Sequence, residues 1–253
     1  LVKMDQGLAH ITKASKITKS YCDILDAIED AGVDCNISLK LTSMGLNIDR
    51  EICWSNFKMV LDTAKKSNNF IRIDMEDSSV TQLTIDMYKR AKAYYPKVGT
   101  VLQAYMKRTI DDVSDLLDDN PNLRICKGAY KESEDIAYQG REEIRNNYLQ
   151  AASMMLSKGA YVALATHDTI LIKSLEELIA EKEFSPDTYE FQALSGVPVE
   201  KTLERLVEEN HKVRYYIPFG SEWHAYSLRR MKENPDIWKY TLKALFFRSR
   251  HRK

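Results

Sequence analysis

Residues 70–105 read FIRIDMEDSSVTQLTIDMYKRAKAYYPKVGTVLQAY and contain one complete strand–helix–strand unit. FIRIDM (70–75) and GTVLQAY (99–105) are short runs rich in branched, aromatic and other apolar residues, which is typical of buried strands. Between them, the segment 80–95 carries apolar residues every three or four positions, at Val80, Leu83, Met87 and Ala91. This spacing predicts an amphipathic helix that packs against the sheet formed by the two strands.

The same unit recurs along the chain in both directions. Helical patterns occupy 17–31, 134–158 and 199–210, and the strand-like runs start 24 to 37 residues apart. The other predicted strands are NISLKL (36–41), LRICKGA (123–129), AYVALAT (160–166), TYEFQAL (188–194) and KVRYYIPF (212–219).

This alternation predicts parallel strands joined by crossover helices, in a single α/β domain over residues 1–253. We expect a (βα)8 barrel of the TIM type. Seven strands are visible in the sequence, and an eighth would close the barrel. We expect the N-terminal strand either to come from Leu1–Leu8 or to be incomplete here and supplied by sequence preceding Leu1. An open doubly wound sheet is the alternative. Against it, no GxGxxG follows the first strand and no Walker loop occurs.

Composition excludes several classes of protein. The 37 basic and 37 acidic residues cancel, which gives no reason to expect a nucleic-acid partner. No apolar run approaches the roughly 20 residues that span a bilayer. The four cysteines form no CxxC and the five histidines are scattered, so no metal site is expected and the thiols are predicted to stay reduced in the cytoplasm.

Polar residues interrupt every predicted strand or follow it directly. A charge inside a buried strand is unfavourable unless it is paired or binds a ligand, and any single one is usually a structural ion pair. Seven strands that each bring polar groups predict a polar mouth at the carboxyl ends of a barrel, where such folds carry their chemistry. The excess of cations favours an anionic small molecule, a phosphorylated cofactor, or both. The residues are Lys40, Asp74, Glu76, Gln103, Arg124, Lys127, Thr166, His167, Gln192, Arg214 and Tyr216.

A further cluster lies in AYSLRRMKENP (225–235). Helical spacing places Tyr226, Arg229, Arg230 and Glu233 on one face. Taken alone, that face is either solvated, with an internal Arg–Glu pair, or a pair of guanidinium groups beside an aromatic wall that binds a carboxylate.

RICKGAY resembles the R-L-V-K-G-A-Y signature of the proline dehydrogenase family. SLKLTSMGL, RIDMED, VLQAYMKR, LATHD, YEFQALSG, YYIPFG and AYSLRRMKEN resemble the other family motifs in the same order, from about Asn36 to Pro235. The monofunctional bacterial enzymes are the most similar. The resemblance implies a (βα)8 barrel that holds FAD non-covalently, oxidises L-proline to Δ1-pyrroline-5-carboxylate and passes electrons to a membrane quinone.

The resemblance also implies roles for individual residues. Asp74, Arg124 and Tyr216 match catalytic positions, with Arg124 close to the flavin N5. Substrate positions match Lys40, Tyr130, Leu194, Tyr226, Arg229 and Arg230, which would make the arginine pair a carboxylate clamp. Cofactor positions match Met75, Gln103, Arg124, Cys126, Lys127, Gly128, Ala129, Thr166, His167, Gln192 and Glu233. Two positions depart from the family pattern: Cys126 replaces a usual valine, and Asp168 often corresponds to asparagine.

Two other functions are compatible with the pattern of residues. The first is a barrel lyase or isomerase in which Lys40 or Lys127 forms a Schiff base or binds phosphate. The second is a non-catalytic barrel that binds a ligand. The basic C-terminal stretch YTLKALFFRSRHRK is either a solvated or disordered end, or a peripheral contact with anionic lipid, where quinone lies.

Overall fold

The computed structural model describes residues 2–117, 120–197 and 199–220, with side chains from Ala9 onward. Helices and strands alternate through these residues. In chain order they are α1 (Val2–Ala31), β1 (Ile37–Leu39), α2 (Arg50–Lys66), β2 (Ile71–Ile73), α3 (Thr81–Tyr94), β3 (Val98–Gln103), α4 (Thr109–Leu116), β4 (Asn122–Cys126), α5 (Arg141–Ser157), β5 (Tyr161–Ala165), α6 (Thr169–Lys182), β6 (Tyr189–Leu194), α7 (Glu200–Glu208) and β7 (Val213–Tyr216).

The described strands form one parallel sheet in which spatial order follows sequence order, from β1 to β7. This order confirms the predicted β/α-barrel architecture and contradicts the doubly wound alternative, whose strand order reverses partway across the sheet. All seven strands predicted from the sequence are present, each shorter than or close to its predicted range.

Contacts across the sheet show that it is curled. Arg124 on β4 donates to Ser38 on β1, and the Tyr216 hydroxyl at the end of β7 donates to Asp74, which follows β2. In a flat sheet, strands β2 and β7 would lie about 24 Å apart, since neighbouring strands are about 4.8 Å apart. The sheet therefore bends around an interior that these side chains share.

Alternation along each strand separates that interior from the helical layer. Ile71 and Ile73 of β2 are fully buried in the apolar core, whereas Arg72 between them points the other way. Room for Arg72 comes from Gly99, its partner on β3, where an added Cβ would lie 2.4 Å from the Arg72 guanidinium. The same alternation on other strands makes the barrel interior polar.

The N-terminal segment differs from the expectation. Residues Val2–Leu8 belong to helix α1, so Leu1–Leu8 does not form the eighth strand. A helix also begins later than predicted in one place: residues 134–140 precede α5, which starts at Arg141 behind a Gly140 N-cap. The expectation of a single domain over residues 1–253 stays a prediction.

Candidate active site

A cavity of about 490 Å³ opens at the carboxyl ends of the strands. Residues that follow or end all seven described strands of the sheet converge on it, because parallel strands all present their carboxyl ends to the same side. Its walls are formed by Lys40, Asp74, Met75, Glu76, Val101, Gln103, Arg124, Cys126, Lys127, Gly128, Ala129, Tyr130, Ala165, Thr166, His167, Gln192, Ala193, Leu194 and Tyr216.

The centre of the cavity floor is a buried ion pair. Arg124 Nη1 donates to Asp74 Oδ1 at 2.9 Å, and both residues are 8% exposed. The Ser38 hydroxyl donates to the same oxygen at 2.5 Å, and the Tyr216 hydroxyl donates to Oδ2 at 3.0 Å. The Arg124 guanidinium also lies over the Tyr216 ring, 5.3 Å from its centroid. Three donors therefore fix the Asp74 carboxyl group at the centre of the site.

Lys40 brings a second positive charge to the same cavity. Burial by itself lowers the pKa of Lys40, but attraction to Asp74 and Tyr130 outweighs burial and raises the pKa above its ordinary value. The amine therefore carries a proton at neutral pH. A protonated amine binds a carboxylate well and is a poor nucleophile, so this environment disfavours Lys40 as a Schiff-base lysine.

Lys127 is held by an ion pair at the cavity rim. Its Nζ lies 2.9 Å from Asp168 Oδ2, and Arg145 Nε on α5 donates to the same oxygen at 2.9 Å. Asp168 is also the N-cap of α6, where it accepts from the backbone N–H of Ile170. Burial raises the pKa of Asp168, but hydrogen bonds from Arg145 and Lys127 outweigh burial and hold the pKa well below its usual range.

Apart from Arg214, the structure brings together the predicted site residues that it describes. The fifteen that line the one cavity are Lys40, Asp74, Met75, Gln103, Arg124, Cys126, Lys127, Gly128, Ala129, Tyr130, Thr166, His167, Gln192, Leu194 and Tyr216. Four others, Tyr226, Arg229, Arg230 and Glu233, lie outside the described residues, as does the basic C-terminal stretch.

The sequence placed Arg214 wrongly. The sequence predicts it among the mouth residues, in the same strand as Tyr216. It lies two residues earlier, which is about 7 Å along a strand, and it lines a separate cavity of about 490 Å³ at the amino ends of the strands. Buried Arg72 and Glu190 line that cavity too.

Two polar residues of the site have no catalytic, substrate or cofactor role in the sequence-based assignment: Ser38, which the sequence does not single out, and Glu76, which it predicts only as a mouth residue. Ser38 joins Asp74 and Arg124 through its hydroxyl. Glu76 lines the cavity and is held by the Thr42 hydroxyl at 2.8 Å. Period-2 alternation from Lys40 could have placed Ser38 on the interior face, but serine in a strand is too common to single out.

One further cluster has the composition of a metal site. Glu176, Glu209 and His211 have ligand atoms within 4.8 Å of one another. Arg205, however, already contacts both carboxylates, at 2.6 Å each, and His211 Nδ1 is hydrogen-bonded to Tyr189. The guanidinium already occupies an oxygen of each carboxylate and offsets half of their charge, so a cation is disfavoured there.

The fold and the cavity define the class of protein: a β/α-barrel enzyme whose charged site lies at the carboxyl ends of the strands. The chain belongs to the proline dehydrogenase family, since the family model described as proline dehydrogenase matches residues 4–241. Membership of this family implies a flavin cofactor and an electron acceptor.

Curated relatives agree with this assignment. Proline dehydrogenase 2 of Bacillus subtilis strain 168 is 38% identical over 232 residues, which cover 92% of this chain and 76% of that protein. Proline dehydrogenase of Deinococcus radiodurans is 31% identical over 229 residues, covering 88% of this chain and 73% of that protein.

Solved structures show the same fold. Proline utilization A from Bdellovibrio bacteriovorus, inactivated by N-propargylglycine, superposes with a TM-score of 0.79 at 20% identity. The similarity covers 88% of this chain and 28% of that much longer one. Proline utilization A from Bradyrhizobium japonicum superposes with a TM-score of 0.74 at 22% identity. Among the described residues, no helix combines the length and apolar character needed to cross a bilayer.

The cavity wall fits a flavin. Arg124 and Lys127 supply positive charge for an electron-rich ring system. The Gln103 amide donates from Nε2 to the Glu76 backbone carbonyl, so its oxygen remains as an acceptor for a ligand N–H. Backbone also faces the cavity at Gly128, where φ is +111° and an added Cβ would lie 2.2 Å from the Tyr105 ring. Only glycine suits that position.

Proposed function

We propose that this protein oxidises L-proline to Δ1-pyrroline-5-carboxylate with FAD as cofactor, the first step of proline catabolism. One observation carries the proposal: Lys40, Asp74, Arg124 and Tyr216, which are far apart in the sequence, meet in one cavity of a proline dehydrogenase fold. A protonated lysine and a fixed arginine beside aromatic rings match a substrate with one carboxylate and one apolar ring.

The reaction needs a positioned ring more than a strong base. A C5–H bond of proline breaks, its hydrogen leaves with both electrons, the nitrogen gives up its protons and a C5=N double bond forms. When bound, FAD supplies the acceptor for that hydride. The protein's part is to hold the substrate so that C5 faces the acceptor, which is catalysis by orientation.

The proposal assigns the substrate side to the positive end of the cavity. Protonated Lys40 binds the proline carboxylate, together with Arg229 and Arg230 on sequence grounds, and each charge-assisted hydrogen bond contributes roughly 1.5–3 kcal/mol. Tyr130 and Leu194, with Tyr226 on sequence grounds, bound the apolar ring. Arg124, fixed by Asp74 beside the Tyr216 ring, supplies positive charge where electrons arrive.

The remaining assignments concern the cofactor and the acceptor. The cofactor residues are proposed to be Met75, Gln103, Arg124, Cys126, Lys127, Gly128, Ala129, Thr166, His167, Gln192 and Glu233. Burial raises the pKa of the Cys126 thiol to about 11, so Cys126 acts as a neutral wall residue. The electrons are proposed to pass to a quinone, from a cytoplasmic protein that contacts the membrane peripherally.

The rival lyase function is disfavoured by the two lysines it would use. The pKa of Lys40 is raised and the Lys127 amine is engaged by Asp168, whereas a Schiff-base lysine needs a free, neutral amine. The non-catalytic alternative differs from the proposal in turnover alone, so a kinetic measurement separates them.

The first test is turnover with an artificial dye as electron acceptor. Purified protein should reduce the dye only when L-proline is present, and Δ1-pyrroline-5-carboxylate should accumulate in equal amount. D-proline, whose carboxylate points to the other face of the ring, is the matched control and should react far more slowly. Protein that carries flavin and leaves L-proline unchanged would contradict the proposal and favour a binding barrel.

A further inference from the structure

A line of buried polar contacts leaves the cavity floor and continues along the barrel interior. Arg124 Nε donates to Gln192 Oε1 at 2.7 Å, and Gln192 Nε2 in turn donates to the Glu190 carboxylate. Gln192 is 4% exposed and Glu190 is 6% exposed. Gln192 lines both the active-site cavity and the cavity at the opposite end, whereas Glu190, two residues earlier on β6, lines only the latter.

The chemistry of each group fixes its direction in this line. A glutamine amide has one acceptor end and one donor end, and a rotation of 180° exchanges them. The Glu190 carboxylate only accepts, so it selects the NH2 end. The oxygen is thereby turned toward the Arg124 guanidinium, which only donates. Without Glu190, Arg124 alone would hold the amide in that orientation, and the NH2 end would lose the acceptor that fixes it from the other side.

Glu190 is itself anchored from the neighbouring strand. Arg214 on β7 donates from Nε to Glu190 Oε2 at 3.0 Å, and its Nη1 lies 3.7 Å from Asp34 at the amino end of the barrel. The carboxylate therefore has separate partners on its two oxygens, and its position is set by the scaffold.

We infer that Glu190 is a positioning residue for Arg124, acting through the Gln192 amide from outside the active-site cavity. The inference deepens the proposed function and rests on it, because Arg124 is assigned a catalytic role there. Glu190 touches neither the proposed substrate site nor the cavity that would hold the cofactor.

The test uses Glu190→Asp in the full-length, flavin-loaded protein. Aspartate keeps the negative charge but is one methylene shorter. It therefore loses the hydrogen bond from Gln192, while the electrostatic field inside the barrel changes little. Glu176→Asp is the matched control, because Glu176 accepts two hydrogen bonds from Arg205 at the surface, remote from the cavity. Glu190→Gln, of unchanged size, is the second variant, since its single acceptor oxygen cannot serve both Gln192 and Arg214.

The direct readout is solvent exchange of the Arg124 Nε–H proton in a 15N NMR spectrum, its signal identified by its loss in Arg124→Lys. Both Glu190 variants should speed this exchange by about tenfold or more and lower kcat for proline by about fivefold, equivalent to the loss of one hydrogen bond. Glu176→Asp should change neither. Wild-type exchange rates in the Glu190 variants would overturn the inference.

A double mutant separates this link from a general loss of stability. In a Gln192→Leu background, Glu190→Asp should add less than about twofold to the loss of kcat, because the route to Arg124 is already broken. Additive losses would overturn the inference. If the wild type oxidises no proline, the proposed function falls, and the NMR comparison still decides whether Glu190 orders Arg124.

Discussion

At the scale of single residues, the site depends on charges whose surroundings fix their protonation and direction. Asp74 receives three hydrogen bonds and holds Arg124 in place, while Lys40 keeps its proton because nearby negative charge outweighs burial. The side chains of the cavity are therefore already ordered for an anion before a ligand binds. This lowers the free-energy cost of ordering side chains on binding.

Lys40→Met tests the role of that charge. Removing the ammonium group should raise KM for L-proline by about tenfold or more, since a charge-assisted hydrogen bond to the carboxylate is lost, with a smaller effect on kcat. Steady-state kinetics with a dye acceptor measure both constants. Lys19→Met, at an exposed position on α1, is the control and should behave as wild type. An unchanged KM in Lys40→Met, with flavin content unchanged, would remove Lys40 from the substrate site.

At the scale of elements, short loops after the strands connect the site to the helices. Asp168 connects the site to a helix. It caps α6, and it forms ion pairs with Lys127 at the cavity rim and with Arg145 on α5. Its pKa is depressed in the folded protein, so its contribution to stability is present above the ordinary aspartate pKa of 3.8 and is lost as pH falls through the folded value.

Asp168→Asn separates the charge from the cap. Asparagine still caps a helix, so the loss comes from the two ion pairs, and the free energy of unfolding at pH 7 should fall by about 1–3 kcal/mol. The difference in unfolding free energy between wild type and variant should become smaller as pH falls below 3.8. Urea denaturation at several pH values measures this difference. Asp49→Asn, which alters the N-cap of α2, is the control with little expected change. If the difference in unfolding free energy is the same at pH 3 and pH 7, the charge of Asp168 does not cause the loss of stability.

At the scale of the whole molecule, the sequence predicted the parts that repeat and the parts that resemble a family. Strand periodicity located all seven described strands, and the motifs located fifteen of the residues that line the cavity, whereas Val101, Ala165 and Ala193 were not predicted. The helix at Val2–Leu8 was missed because it carries no clear apolar period. Arg214 was misplaced because sequence order does not say how deep a side chain lies along the barrel axis. The link from Glu190 to Arg124 needed coordinates, since it depends on which atoms of an amide face which neighbours.

The central claim is that the charged cavity at the carboxyl ends of the strands holds both a flavin and L-proline. The most direct measurement is an absorption spectrum of the purified protein without oxygen, before and after addition of L-proline. The account predicts a yellow protein whose visible flavin band bleaches with L-proline and returns when an electron acceptor is added. A colourless protein that binds no added FAD, or a flavin band that L-proline leaves unchanged, would contradict it.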